Sequence, residues 1–228
     1  MATSNSYDYN PALGDIVLYC YQNIGIRPTA LLQEHMQVAR NAANMLQARW
    51  ANMGVNLWAV DLQTTSLVAG TATYDVDPTT VMILDAYVNG GDGTPDRIIT
   101  PISRTEYASI PNKTQEGFST SYWFDRLLSP TITLWLVPDG YSATTLKYYR
   151  VRRLQDATNK NATNVEIPYE WLEAFADELT YRLARVWNPA IAPALKQQAD
   201  ESYGIAAKRN TEAVPTYISP GTSGYFRQ

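Results

Sequence analysis

PISRTEYASIPNKTQEGFSTSYWFDRLLSPTITLWLVPDGYSATTLKYYRVRRL, residues 101–154, is the stretch that decides how the chain is built. Within it Thr131-Ile132-Thr133-Leu134-Trp135-Leu136 alternates with period two, so Ile132, Leu134 and Leu136 share one face of a strand. Pro138-Asp139-Gly140 follows, supplying a preset φ, a side chain that bonds back to the backbone and a residue tolerant of positive φ. Beyond it Leu146, Tyr148 and Arg150 alternate with Lys147, Tyr149 and Val151. The second half of the stretch therefore reads as two strands joined at a tight corner. Ahead of them, Ser103 can cap a short helix through Tyr107, which Pro111 closes. No catalytic pattern lies in this block; it reads as a rigid β platform.

The period of two extends upstream. Leu57–Val60, Thr71–Val76, Val81–Val88 and Arg97–Ile102 read as strands, connected by Asp77-Pro78 and by Asn89-Gly90-Gly91-Asp92-Gly93. Ala72, Tyr74 and Val76 face one way, and Thr71, Thr73 and Asp75 the other. Regularly spaced strands with turn signals between them predict a small antiparallel sandwich or barrel over residues 56–154.

Helical periodicity flanks this region on both sides. A short helix is expected from Leu13 to Ile24, ended by Gly25 and Pro28. A long one is expected from the N-cap Thr29 to Met53, with Gly54 as its stop. Leu32, Met36, Ala39, Ala43, Leu46, Trp50 and Met53 form a heptad seam along it, and Leu31, Val38, Ala42 and Met45 widen the apolar face. That width favours bundle packing, and the two seam alanines admit a close partner helix from the same chain or a neighbour. Downstream of the polar connection QDATNKNATN, Pro168 opens a helix whose stripe is Leu172, Phe175, Ala176, Leu179, Leu183, Val186 and Trp187. After Asn188-Pro189 a last helix runs to about Asn210, with Ile191, Leu195, Ala199, Tyr203 and Ala206 on its weaker face. The predicted fold is α+β: N- and C-terminal helices (1–55 and 155–212) form a bundle that carries the inserted β domain (56–154). An extended C-terminal arm (213–228) follows.

Bulk properties narrow the function classes. At 228 residues the chain can bury a sizeable core, and its net charge of −4 argues against a general nucleic-acid binder, which needs Lys and Arg to displace counterions. The single cysteine, Cys20, cannot form an internal disulfide. No signal peptide and no membrane-length apolar run is visible, so no membrane partner is expected. His35, the one histidine, sits among apolar residues of the long helix and has no cysteine or second histidine with which to build a metal site or a nucleophile–base pair. The Asn89–Gly93 loop lacks the carboxylate spacing of a calcium loop and the Lys-Ser/Thr of a phosphate loop. No cofactor and no catalytic residue is expected. Lys147, Arg150, Arg152 and Arg153 make the one basic cluster, on both faces of a strand, which reads as a solvated strand end or as a partner for acids of a neighbouring subunit.

Two stretches point to partners instead. The final segment, EAVPTYISPGTSGYFRQ, has no helical period, yet it holds Val214, Tyr217, Ile218, Tyr225 and Phe226. A solvent linker avoids that many apolar groups, so the segment either packs back on its own chain or docks into a partner. Leu32, Met36, Trp50, Arg150, Arg152 and Trp187 are candidates for contacts between subunits.

The phrases ISRTEYASIPNKTQEG, YWFDRL, TLWLVPDGY, LKYYRVRRLQD and IPYEWLEAFADELTYRLA together resemble the head-to-tail adaptor proteins of tailed phages, also called head-completion or connector proteins, chiefly of the short-tailed phages. The resemblance covers roughly residues 13–212 and is densest over 101–187. It implies a non-enzymatic virion protein of the neck between capsid and tail, made in the host cytoplasm. Such a protein assembles as a ring of twelve copies beneath the portal, extends the DNA channel, passes genomic DNA without binding it specifically, and offers a platform to the next tail component. It also implies that a terminal arm reaches the portal, a role that Val214 to Gln228 match in position. The residues alone leave a second reading open, a β-sandwich module that recognises carbohydrate or a host surface through its aromatics. A hydrolase would need an acid/base pair that the sequence does not offer.

Overall fold

The computed structural model describes residues 5–54, 57–91, 94–141, 143–157 and 164–211. Helix α1 (Leu13–Ile24) ends where Gly25 takes a φ of 94°, with its N–H and that of Ile26 returning to the Gln22 and Tyr21 carbonyls. Helix α2 (Gln33–Met53) begins three residues later than an N-cap at Thr29 predicts, its N-cap being Leu32. Pro28–Ala30 spend one tight 3-10 turn, Leu31 and Leu32 are extended, and the helix then restarts. At that restart His35 Nδ1 accepts the N–H of the N-cap Leu32 at 3.2 Å, the half of a capping box that a Glu or Gln at N3 gives.

The buried line of α2 runs through His35, Ala39, Ala43, Leu46 and Trp50, while Leu32 and Met53, the two ends of the heptad seam, are exposed. A straight helix turns past a 3.5-residue repeat, so a seam this long drifts off the buried face. Ala39 and Ala43 are fully buried in the core that α2 shares with α4 (Leu172–Trp187) of the same chain. Helix α4 is central, packing against α1, α2 and α5 (Ala192–Ala207). Tyr21, Leu46, Trp50, Phe175, Leu179 and Leu183 close one core, each large side chain worth roughly 1.5–3 kcal/mol of burial. Val186, expected in the α4 stripe, faces solvent, and Thr180 is buried in its place by turning its hydroxyl to the Ala176 carbonyl.

Between α2 and α4 the described residues build nine strands: β1 (Val60–Ser66), β2 (Thr73–Asp75), β3 (Thr80–Asn89), β4 (Arg97–Pro101), β5 (Glu116–Gly117), β6 (Ser121–Asp125), β7 (Thr131–Trp135), β8 (Val137–Pro138) and β9 (Thr145–Arg152). Leu57–Ala59, expected in a strand, form a 3-10 turn, and the strand starts at Val60. Seven strands form a mixed sheet in the order β1-β9-β3-β4-β6-β7-β2, and β5 pairs with β8 separately. The main sheet is antiparallel except at β4–β6, where the chain returns through helix α3 (Arg104–Ser109) and enters parallel. Helix α3 starts at Ser103, whose hydroxyl accepts the Glu106 N–H while Glu106 reaches back to the Ser103 N–H. The edge strands β1 and β2 are joined only by residues 67–72, a link that spans at most about 20 Å. The two edges must therefore lie near each other, which curls the sheet into a half-barrel around Val88, Ile99, Ile132, Leu134, Leu146 and Tyr148.

The tight corner expected at Pro138-Asp139-Gly140 does not make a hairpin. β7 pairs with β6 and β2, whereas β9 lies between β1 and β3. The corner instead carries the chain from one flank of the sheet to the other, after Val137-Pro138 have paired with β5. Alternation placed Ile132, Leu134, Leu146, Tyr148 and Arg150, which are all buried, but not Leu136, which lies past the end of β7 and is half-buried, nor Thr133, which is buried on the opposite face. It carries no information about which strand lies alongside.

Candidate partner interface

Arg150 lies on β9 opposite Asp61 on β1 and is 5% exposed. Its Nε donates to Asp61 Oδ1 at 2.7 Å and its Nη2 to Oδ2 at 3.2 Å, while Nη1 reaches the Thr80 hydroxyl at 2.9 Å and lies 3.3 Å from Asp77 Oδ2. This grip holds the Asp61 carboxyl below the usual carboxylate range, against the opposing effect of burial. Arg152, two residues on, pairs with Glu166 on the segment leading back to α4, and Glu166 also accepts the Gln155 N–H at 2.8 Å. The same guanidinium holds Glu166 low. Lys147 lies 3.7 Å from Asp96.

The basic cluster is therefore corrected in its role. Its acids come from the same chain, because the sheet order sets β1 beside β9 and brings Asp77, Asp96 and Glu166 to its ends. Arg150 and Arg152 are spent within the subunit. Trp50 is likewise corrected: at 2% exposure it packs edge-on against Trp171 and Phe175, leaving no face for a neighbour. Trp187 is half-buried and stacks on His35 at 4.2 Å, close to the exposed Leu32 through the His35–Leu32 hydrogen bond, with Met36 half-buried nearby in sequence. The six residues thus fall into three separate places. Val214, Tyr217, Ile218, Tyr225 and Phe226 lie outside the described residues.

Cys20 is fully buried, donates to the Ala176 carbonyl, and has its thiol pushed up to about 12 by that burial. His35 is buried between Tyr21, whose hydroxyl donates to the His35 carbonyl at 2.7 Å, and Trp187. Both take the structural roles their apolar surroundings predict.

Sequence reasoning missed a groove of about 560 Å³ where α1 and the segment before it, the start of α4 with the 3-10 turn that precedes it, and α5 meet. Tyr9, Tyr19, Tyr169 and Ile205 line it and are all exposed; Tyr9 and Tyr169 meet edge to face at 6.5 Å. Asp15, Glu170 and Glu173 add carboxylates, and Arg209 is the one basic side chain among its lining residues. On its floor lies Asp177, 6% exposed, accepting from Gln198 Nε2 at 3.3 Å. Burial pushes the Asp177 carboxyl up, Ser202 and Gln198 pull it down by hydrogen bonding, and Glu173 raises it further. The available signal was tyrosines standing off the apolar stripes, with an acid inside one of those stripes.

Exposed aromatics around a groove, on a helical scaffold fused to a half-barrel, define an α+β protein built for contact with other proteins. The family described as the SU10 adaptor protein matches residues 23–222, and the chain belongs to that family. It is thus a phage adaptor protein, a structural component that associates with other parts of the virion. The match continues past Thr211 into the first half of the C-terminal segment. No curated protein matches the chain. Among the described residues, no helix is long and apolar enough to cross a membrane.

Proposed function

We propose that this adaptor is a ring component of the virion neck, bound beneath the portal, in which the bundle helices build the ring and the half-barrel is the insert they carry. Twelve copies surround a lumen that extends the DNA channel. The far side offers a platform to the next tail component. The observation that carries this reading is the family match across 23–222, which takes in the helices on both sides and the β region between them. A ring needs two complementary side surfaces, since a head-to-tail contact that closes gives a cyclic oligomer. Residues 214–228 act as the portal-docking arm through Val214, Tyr217, Ile218, Tyr225 and Phe226.

Genomic DNA passes through without specific binding, in keeping with the net charge of −4. Tight, salt-sensitive binding of duplex DNA by the assembled ring would contradict that part. A sugar-reading β module is less well supported, because two of its tryptophans are engaged: Trp123 stacks on Tyr107, and Trp135 Nε1 donates to the Asn112 carbonyl at 3.1 Å. Native mass spectrometry or negative-stain microscopy tests the ring. A chain that stays monomeric even with portal present would overturn it.

A further inference from the structure

The tyrosine groove holds three exposed carboxylates, Asp15, Glu170 and Glu173, and none of them has an ion-pair partner among the described residues. The corner between α4 and α5 has the opposite character. Pro189, Ala190 and Pro193 project into solvent there, flanked by Arg185 and Lys196, both exposed and both without a described ion-pair partner. One subunit cannot bring the two together. Glu173 and Arg185 are twelve residues apart on α4, about 18 Å along its axis, and Lys196 and Ile205 are about half a turn out of phase on α5. Each surface has exposed apolar groups and a charge excess of one sign, three exposed carboxylates against Arg209 in the groove and Arg185 with Lys196 at the corner, and its complement lies on the far side of the same bundle.

We infer that the acidic tyrosine groove of one subunit receives the proline corner of the next copy, with Arg185 and Lys196 meeting Glu170 and Glu173. Aromatic side chains pack against an exposed proline because its ring is apolar and its φ already fixed, and carboxylates beside them attract a neighbouring Arg or Lys. The contact joins two different patches, so it propagates from copy to copy and gives a ring where its rotation closes, which a self-complementary contact does not. It presupposes the ring proposed above and supplies the contact that closes it.

Charge reversal tests this with the full chain. Glu170→Lys with Glu173→Lys gives a subunit whose two surfaces are both basic, and Arg185→Glu with Lys196→Glu gives one whose two surfaces are both acidic. Each set alone is expected to raise the concentration needed for ring assembly at least tenfold, read by native mass spectrometry, and the fourfold reversal is expected to restore assembly. All four positions are exposed; where a double variant does not fold by circular dichroism, Glu173→Lys and Arg185→Glu stand in singly and as a pair. A wild-type chain that forms rings while the reversals assemble equally well overturns this contact and leaves the ring standing. A fourfold variant no better than its parents also overturns it. Groove reversal that abolishes portal attachment but leaves rings intact assigns the groove to the portal, and so overturns it too. A wild-type chain that never forms rings removes the ring and this contact together.

Discussion

Arg150 holds both carboxylate oxygens of Asp61 from the directly opposed position on the neighbouring strand, at 2.7 and 3.2 Å. The pair ties the edge strand β1 to β9, and the same guanidinium reaches Thr80 at the start of β3. Three strands are thus pinned by one buried cation, and the edge strand β1, whose own sequence is Val-Asp-Leu-Gln-Thr-Thr-Ser, offers little apolar area to hold itself in place.

Truncating Arg150 removes several charge-assisted hydrogen bonds and leaves Asp61 and Asp77 facing each other's charge. Both acids are partly exposed and can take up water, which limits the cost. Arg150→Ala is expected to lose roughly 2–3 kcal/mol in urea unfolding. Arg150→Lys should recover less than half of that, because an ammonium cannot span both oxygens. Equal stability of the lysine variant and wild type would show that charge alone suffices.

Acid should act on the fold through two effects of opposite sign. Asp61 and Glu166 titrate lower in the folded chain than unfolded, held by Arg150 and Arg152 respectively. Their stabilisation is full above the ordinary carboxylate range near pH 4 and is lost as pH falls through the lower folded values. Asp177 is the reverse: burial raises its folded pKa, so its ionised form costs stability at neutral pH, and that cost fades as it takes up a proton on acidification. Asp177→Asn, which can still accept from Gln198, should be more stable than wild type at pH 7. Its advantage should shrink to nothing below about pH 4. Urea midpoints at pH 7, 5 and 3.5 check both halves.

The helices were legible because their periodicity and stop signals are local. Gly25 ends α1 where it was read, and Ser103 with Glu106 starts α3. The faces of the strands were legible too, as Ile132, Leu134, Leu146 and Tyr148 show. Strand partners were not, since β7 and β9 are consecutive in the reading yet lie on different flanks of the sheet. Nor was the fate of Trp50 and Arg150, because whether an aromatic or a cation serves the core or a neighbour depends on what the fold brings beside it. The groove escaped for the same reason: Tyr9, Tyr169 and Ile205 are distant in sequence and become a surface only when α1, α4 and α5 assemble.

Gly140 gives the corner after β8 its backbone shape. Its φ of 80° is in the left-handed region, and a Cβ placed there would stand 3.0 Å from the Ala69 Cβ in the link between β1 and β2. Gly140→Ala therefore meets backbone strain and a close contact together. A loss of about 1–3 kcal/mol is expected by thermal or urea unfolding. The substitution Gly25→Ala has the same φ penalty, but nothing lies within 4 Å of the added Cβ, so it should lose less. Equal losses at the two sites would assign the whole effect to backbone conformation.

Removing residues 214–228 separates the arm's two possible attachments. The helical core runs to Ala206, the last buried apolar side chain among the described residues, with Ala207 packed against it. The truncated chain should therefore melt within a few degrees of the full one. An arm that orders only on docking contributes apolar contact at the portal while costing the entropy of fixing its backbone. Its net effect is then seen only in attachment, and the truncated chain should fail to bind DNA-filled heads in a sedimentation assay. Replacing Tyr217, Ile218, Tyr225 and Phe226 by serine in the full-length chain should give the same failure, since the apolar groups and not the chain length make the contact. Wild-type attachment by either variant would rule out the docking role. A large drop in melting temperature on truncation would instead mean that the segment packs on its own subunit.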